Sequence, residues 1–312
     1  MAAERKTSTG QSGARGKPER KSAGGDESSA SNDSGQKGLD RPSAEDIYKQ
    51  VAHNARAELK RSTVSLGISG FAGGVFMGLS ALGTAITLGM LGTSPVTMFV
   101  GKMFYPLGFI VVILGRAQLF TENTLYPVAL VLAEKRELWN TLRLWCAVLP
   151  ANVLGALAFA ALAARTSALP QATIDALVQL GFSAVHMPAS TVFWSAVMAG
   201  WIIATAAWLV SGSHSITGSI MILWLLTFVV GLSGFAHCIA SSGEIFSAVL
   251  TGKIGWLSYA RWFGLAVAGN ICGGVGMVTV LEYGQVIYGG DADSKSNPSG
   301  SENPGAAKTH GK

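Results

Sequence analysis

Charge is scarce along most of this chain. Only 13% of its 312 residues are Asp, Glu, Lys or Arg, and residues 1–42 hold many of them. From Thr166 to Gly252 there is no Lys or Arg, and the only acids are Asp175 and Glu244. From Ser62 to Gly290 the chain is mostly apolar, in runs of about 20 residues or more, which excludes an ordinary soluble core. Cysteine is nearly lacking. Cys146, Cys238 and Cys272 all lie in apolar segments, with neither a disulfide framework nor a metal-ligand spacing. No Gly-rich phosphate loop, catalytic constellation or soluble nucleotide domain is present, so neither an enzyme nor an ATP-driven pump is expected, and no cofactor. No signal peptide is expected, because charge, Ser and Gly run on where its apolar stretch would lie.

The formal charge of +5 comes partly from the ends of the chain. Basic tails beside a membrane meet anionic lipid headgroups, so membrane lipid is an expected partner and nucleic acid is not. Residues 1–42 read as a disordered cytoplasmic tail, since they cannot bury enough apolar surface to offset ordering entropy. Residues 43–62 read as an amphipathic juxtamembrane helix. It opens on a capping box, Ser43-Ala44-Glu45-Asp46, and carries Ile47, Val51, Ala55 and Leu59 at helical spacing. Lys49, Arg56, Lys60 and Arg61 would then lie near headgroups. Residues 63–290 read as a transport domain of six membrane segments, at about 64–90, 97–133, 138–164, 190–210, 216–251 and 257–288. Residues 291–312 form a second disordered tail. Lys135, Arg136 and Arg143 follow the second segment, and the loop 166–189 has no basic residue, so that loop is expected outside and both termini in the cytoplasm. Lys253 and Arg261 fall on the outer side by this reading.

Two segments are interrupted in the same way. One breaks at Gly115-Arg116-Ala117-Gln118-Leu119-Phe120-Thr121-Glu122-Asn123-Thr124, the other at Gly234-Phe235-Ala236-His237-Cys238-Ile239-Ala240-Ser241-Ser242-Gly243-Glu244. An Asn-x-x-Gly follows each, at Asn152 and Asn270, 37 residues after Gly115 and 36 after Gly234. Paired broken helices in two halves mark a transport site at mid-membrane, and backbone freed from helical bonding survives there only inside protein or beside a cavity. The fold class expected is an all-α membrane protein with six transmembrane helices, an inverted repeat with interrupted second and fifth helices.

His237 sits inside the second break. It either pins the broken helix as a neutral, hydrogen-bonded imidazole or faces the solute path, and the paired breaks favour the path. Gln118 is read as its match in the first break. Glu122 and Glu244 lie just past the breaks, where a carboxylate caps a restarting helix or lines the path. Arg116 needs a partner at membrane depth, and Glu122 or Glu244 is the natural one; it is read either as a structural ion pair or as a charge lining the pore. Asn152 and Asn270 are expected to hold the loops, with Gly155 and Gly273 as packing residues. By their distance from the breaks, Tyr105, Phe109, Phe120 and Val230 are candidates for apolar constrictions.

The segments Gln118–Thr124, Gly234-Phe235-Ala236-His237 and Gly269-Asn270-Ile271-Cys272-Gly273-Gly274 resemble the formate/nitrite transporter family over about residues 45–290, and its YfdC-like branch in particular. The resemblance implies an aquaporin-like six-helix protomer assembled as a homopentamer in a bacterial inner (plasma) membrane, each protomer with its own path. It implies small monovalent anions crossing with a proton or as the neutral acid. It places His237 at the central histidine, Leu119, Phe120 and Thr121 at the family's Leu-Phe-Thr loop, and Asn270 at the asparagine of the last helix. Tyr105, Phe109 and Val230 fall at constriction positions. The chain departs from the family at three places. The lysine common before the fourth helix falls near Pro188, with His186 the nearest substitute, and the acids preceding the histidine and the Leu-Phe-Thr loop are Ala236 and Gln118. The outer vestibule is therefore expected to attract anions weakly. A membrane scaffold that has lost conduction, or a path for a neutral or cationic solute helped by Glu122 and Glu244, are the alternatives.

Overall fold

The computed structural model describes residues 42–134, 137–279 and 284. The two expected tails, Lys135 and Arg136, and the end of the sixth segment lie outside the described residues, apart from the last tail position, Pro42, and Gly284. Among the described residues all regular structure is helical.

Helix α1 (Ala44–Leu59) starts at the capping box. The Asp46 amide donates to the Ser43 hydroxyl at 3.2 Å, and the Asp46 carboxylate accepts from the Ser43 hydroxyl at 2.7 Å and amide at 3.1 Å. Those bonds from Ser43 hold the Asp46 carboxyl below the usual range. The support they lend the helix start is present above the ordinary carboxylate pKa and lost as pH falls through the lowered one. Val51, Ala52, Ala55 and Leu59 are buried, and α1 packs on α5 (Tyr126–Glu134) and α8 (Ala189–Ser211). The apolar stripe of this helix therefore sits on protein.

Helices α2 (Thr63–Leu91), α6 (Leu138–Arg165) and α8 are each long and apolar enough to cross a membrane. Their outward faces carry large apolar side chains such as Ile68, Met90, Leu162 and Trp194, as lipid or subunit contact requires. The second span is more divided than its sequence suggests. It runs as α3 (Pro95–Lys102), a turn at 103–105, α4 (Pro106–Leu114), the expected break, a 3-10 turn (Glu122–Thr124) and α5. Pro106 explains the extra turn, because it has no N–H to donate back and disfavours helix in the residue before it. The Tyr105 amide accordingly donates three residues back, to the Lys102 carbonyl at 3.0 Å.

The stretch 166–189, read from sequence as a loop, contains helix α7 (Gln171–Val185), which packs on α10 (Ala240–Leu250) and α2. Its buried face is short, formed by Thr173, Ile174, Leu177 and Gly181, and Gln171, Asp175, Gln179 and Ser183 recur every four residues along another face. A helix so patterned does not register as a membrane segment, yet Pro170 starts it and one stripe docks it. Helix α9 (Ile216–Leu232) leads to the second break, α10 follows, and α11 (Trp256–Ile271) continues into a π-helical turn (Cys272–Thr279). Packing of α2 along α6 and of α8 along α11 forms two equivalent pairs. At each crossing a glycine meets the asparagine-bearing helix: a Cβ on Gly74 would run into the backbone of Asn152, and one on Gly200 into that of Asn270.

Candidate functional site

The two breaks are built by the same hydrogen bonds. In the first, the Phe120 amide donates to the Asn152 side-chain oxygen at 2.9 Å, and the Asn152 Nδ2 donates to the carbonyls of Gln118 at 2.8 Å and Gly70 at 2.6 Å. In the second, the Cys238 amide donates to the Asn270 side-chain oxygen at 2.9 Å, and the Asn270 Nδ2 donates to the carbonyls of Ala236 at 3.0 Å and Ala196 at 2.8 Å. Serines complete the match: the Gln118 amide donates to Ser69 at 3.2 Å, and the Ala236 amide to Ser195 at 3.3 Å. Each asparagine is fully buried and satisfies one N–H and one carbonyl of a broken helix, while its remaining bond ties the break to a carbonyl of the unbroken α2 or α8.

This pairing corrects the register. Gln118 is equivalent to Ala236, and the equivalent of His237 is Leu119. Arg116 is equivalent to Gly234, and both turn the chain with positive φ, at 57° and 65°. The left-handed region costs a non-glycine residue about 1–2 kcal/mol, so an arginine occupies a position made for glycine. It is exposed, and no ion pair joins it to a described carboxylate, although it and Glu122 line the same cavity. Glu244 lines a different cavity. Arg116→Gly is therefore expected to leave thermal unfolding in detergent within about 1 kcal/mol of the parent, relief of the turn offsetting the entropy that glycine adds to the unfolded chain. A loss above about 2 kcal/mol would mean that the guanidinium holds a partner.

His237 and Thr121 meet where the breaks meet. Both are fully buried, and His237 Nε2 lies 2.8 Å from the Thr121 hydroxyl oxygen. The other ring nitrogen, Nδ1, accepts the Ala240 amide at 3.1 Å, at the first residue of α10. A ring nitrogen that accepts carries no proton, so the neutral imidazole has its proton on Nε2 and donates it to Thr121. The Thr121 hydroxyl hydrogen is then left for another acceptor. Imidazole, not carboxylate, caps α10; Glu244 sits a full turn inside that helix. Glu122 opens the 3-10 turn after the first break.

Aromatic side chains pack against the histidine of this pair. Phe109 lies edge-on to the His237 ring with centroids 5.0 Å apart, and Tyr105 lies against Phe109 at 5.6 Å. Leu119, Phe109 and Val230 are fully buried. Phe120 turns toward α6, edge-on to Trp145 at 5.5 Å. A cavity of about 660 Å³ borders Tyr105, Val230 and Ala236, next to the C-terminal end of α9, and has α7 along its wall. A second, of about 340 Å³, borders Arg116, Glu122 and Tyr126, next to the N-terminal end of α9, and has α1 along its wall. Phe109, Leu119, Thr121 and His237 line neither.

Three contributors escaped the sequence reading. Glu58 of α1 accepts from Gln118 Nε2 at 2.7 Å and from Arg61 at 3.0 Å, tying the surface helix to the first break, while Asn123 Nδ2 donates to the other end of Gln118 at 2.8 Å. Lys102 lines the larger cavity, so that vestibule has a cation supplied by the second span instead of the stretch before the fourth. Trp262 lines it too. The Ser69 and Ser195 bonds did leave a trace, since each serine precedes its crossing glycine, Gly74 or Gly200, by five residues.

An all-helical membrane fold with two broken helices meeting at a buried histidine defines a class of transport proteins. The family model described as Formate/nitrite transporter matches residues 45–284, and the chain belongs to that family. It is 32% identical to the inner membrane protein YfdC of Escherichia coli strain K12, over 77% of this chain and 78% of that one. It is 24% identical to the formate channel BtFdhC of Bacillus thuringiensis, over 75% of this chain and 92% of that one. Among solved structures, an FNT family ion channel superposes with a TM-score of 0.69 at 19% identity, covering 78% of this chain and 99% of the other. A pentameric formate channel with formate bound gives 0.61 at 20% identity, covering 72% and 97%. These likenesses establish the fold.

Proposed function

We propose that this chain is a channel or secondary transporter for a small monovalent weak acid, which crosses neutral or together with a proton. The fully buried Thr121–His237 pair, which lines neither cavity, carries this reading. A bare anion stripped of water at that depth costs several kcal/mol with little offset, and a neutral acid avoids most of that cost. The Thr121 hydroxyl donates to the passing solute while its oxygen stays bonded to His237 Nε2. His237 acts by holding that hydroxyl in one orientation, because Nδ1 is committed to Ala240. Leu119, Phe109, Tyr105 and Val230 form the constrictions, and Gln118 and Asn270 hold the broken backbone around them. Formate channels among the relatives support a monocarboxylate. The assembly proposed is a homopentamer, supported by the pentameric fold relative, in a bacterial inner membrane with both termini cytoplasmic.

Uptake into proteoliposomes tests this. Formate, acetate, lactate and nitrite fluxes are expected to rise as external pH falls from about 8 to about 5, tracking the neutral species or the proton gradient. His237→Asn retains an acceptor for the Ala240 amide but loosens the hold on the Thr121 hydroxyl, and is expected to lower the flux at every pH. Anion flux indifferent to pH and unchanged in His237→Asn rejects the mechanism, and methylammonium flux without acid flux rejects the substrate class.

A further inference from the structure

We propose that the cavity beside α7 is a loading site for a small monocarboxylic acid, held by Glu244 through one shared proton. Glu244 is only 6% exposed, lines this cavity, and its carboxylate accepts no hydrogen bond from a described residue. Two more walls of the same cavity carry polar atoms that are buried without a partner, the Tyr105 hydroxyl and the Trp262 indole N–H. Lys102 is half-buried, with its ammonium 5.6 Å from the centre of the Tyr105 ring. Three donors and one carboxylate therefore converge on a space whose other walls include Leu88, Leu180 and Phe235. Buried polar groups left unpaired are costly, so a ligand that satisfies all of them at once is favoured.

A carboxylic acid meets the carboxylate and up to two of the donors. Its O–H donates to the Glu244 carboxylate, while the two lone pairs of its carbonyl accept from two of Trp262, Tyr105 and Lys102. The same complex forms when a carboxylate ion meets protonated Glu244. The O–H bond of Glu244 breaks, an O–H bond forms on the solute, and the negative charge passes to Glu244, still beside the Lys102 ammonium. Bulk water then returns a proton to Glu244. The titratable groups near Glu244 are few. Lys102 and Tyr105 come from the second span, His237 and Cys238 from the break, and Tyr259 from α11, bonded to Ser242 at 3.1 Å. Helix α2 has no charged residue, Asp175 of α7 is exposed and bonded to Gln171, Arg165 of α6 is held on the Leu250 carbonyl, and Arg261 of α11 is exposed.

Binding at this site is independent of conduction, and the proposal rests on the transport reading only for what becomes of the bound acid. Dicyclohexylcarbodiimide reacts with buried, protonated carboxyls and reports occupancy on the unmodified protein. Labelling of Glu244, located by peptide mass spectrometry near pH 6, is expected to slow at least about fivefold in formate at a few times its dissociation constant. Labelling of Glu122, in the other cavity, serves as the internal control, and equimolar nitrate controls for ionic strength. A slowing shared by Glu122 is consumption of reagent and overturns the site, as does Glu244 that formate or nitrate protects equally. In proteoliposomes, Glu244→Gln is expected to flatten the rise of formate uptake with falling pH. Protection without any uptake in the parent upholds the site and removes the transport reading. Uptake whose pH profile survives Glu244→Gln, with no selective protection, removes the site and leaves the transport reading standing. Should the variant not fold, labelling of the parent decides.

Discussion

Replacing Asn270 with alanine is expected to destabilise the protomer by about 2–6 kcal/mol, since an N–H and a carbonyl of the broken helix lose their partner in a buried place and each such loss costs about 1–3 kcal/mol. The Cys238 amide and the Ala236 carbonyl are those groups, while the Ala196 carbonyl keeps its place in the hydrogen bonding of α8. The loss is comparable with the whole stability of an ordinary domain. Asn270→Asp is expected to do as badly. It keeps an acceptor for Cys238 but turns an acceptor toward the two carbonyls. Asn152→Ala removes the equivalent three bonds at the first break and should behave alike. Thermal unfolding and size-exclusion profiles in mild detergent provide the measurement. A well-formed Asn270→Ala protein melting within about 1 kcal/mol of the parent would show that the breaks hold themselves.

Thr121→Val is expected to reduce weak-acid flux by about 10- to 100-fold, the worth of one strong hydrogen bond made at the barrier. Valine has nearly the shape of threonine, so packing against Phe109 and Leu119 changes little. Two things go: the hydroxyl proposed to meet the solute, and the acceptor for His237 Nε2–H. The stranded N–H should lower stability by about 1–3 kcal/mol, about half of what is lost at Asn270. Thr121→Ser restores the hydroxyl and should restore most of the flux. Flux in Thr121→Val within twofold of the parent, with the protein folded, would remove this hydroxyl from the path.

Much of this was legible from spacing. The breaks, the two asparagines and the buried histidine stand out because polar residues at membrane depth need a reason. The register did not, since glycine matches glycine by eye at Gly115 and Gly234, whereas the hydrogen bonds pair Gly234 with Arg116. Counted that way, Phe120 to Asn152 and Cys238 to Asn270 are both 32 residues apart, and the mismatch of one disappears. Arginine in a left-handed turn leaves no mark in a sequence, because the usual mark is the glycine it replaced. Lys102 was hidden for another reason. Its position at a cavity depends on the turn before Pro106, and a charge six residues into an apolar run looks like a snorkelling side chain. The partner of Gln118 was equally hidden, because nothing in the spacing of α1 announces that Glu58 points inward.

The filled stretch around Phe109, Leu119, Thr121 and His237 has a consequence for how a cell keeps its energy. A membrane potential is worth about 2.3 kcal/mol per charge for each 100 mV, and a thread of water through the protein would let protons run it down continuously. Here buried side chains that line neither cavity fill that stretch, so on the proposed reading an idle copy drains nothing. Charge would then cross only with a guest molecule in the gap, one particle at a time. On that reading an organism can carry many copies in a respiring membrane without fuel loss, any gradient being drawn on only in proportion to the traffic.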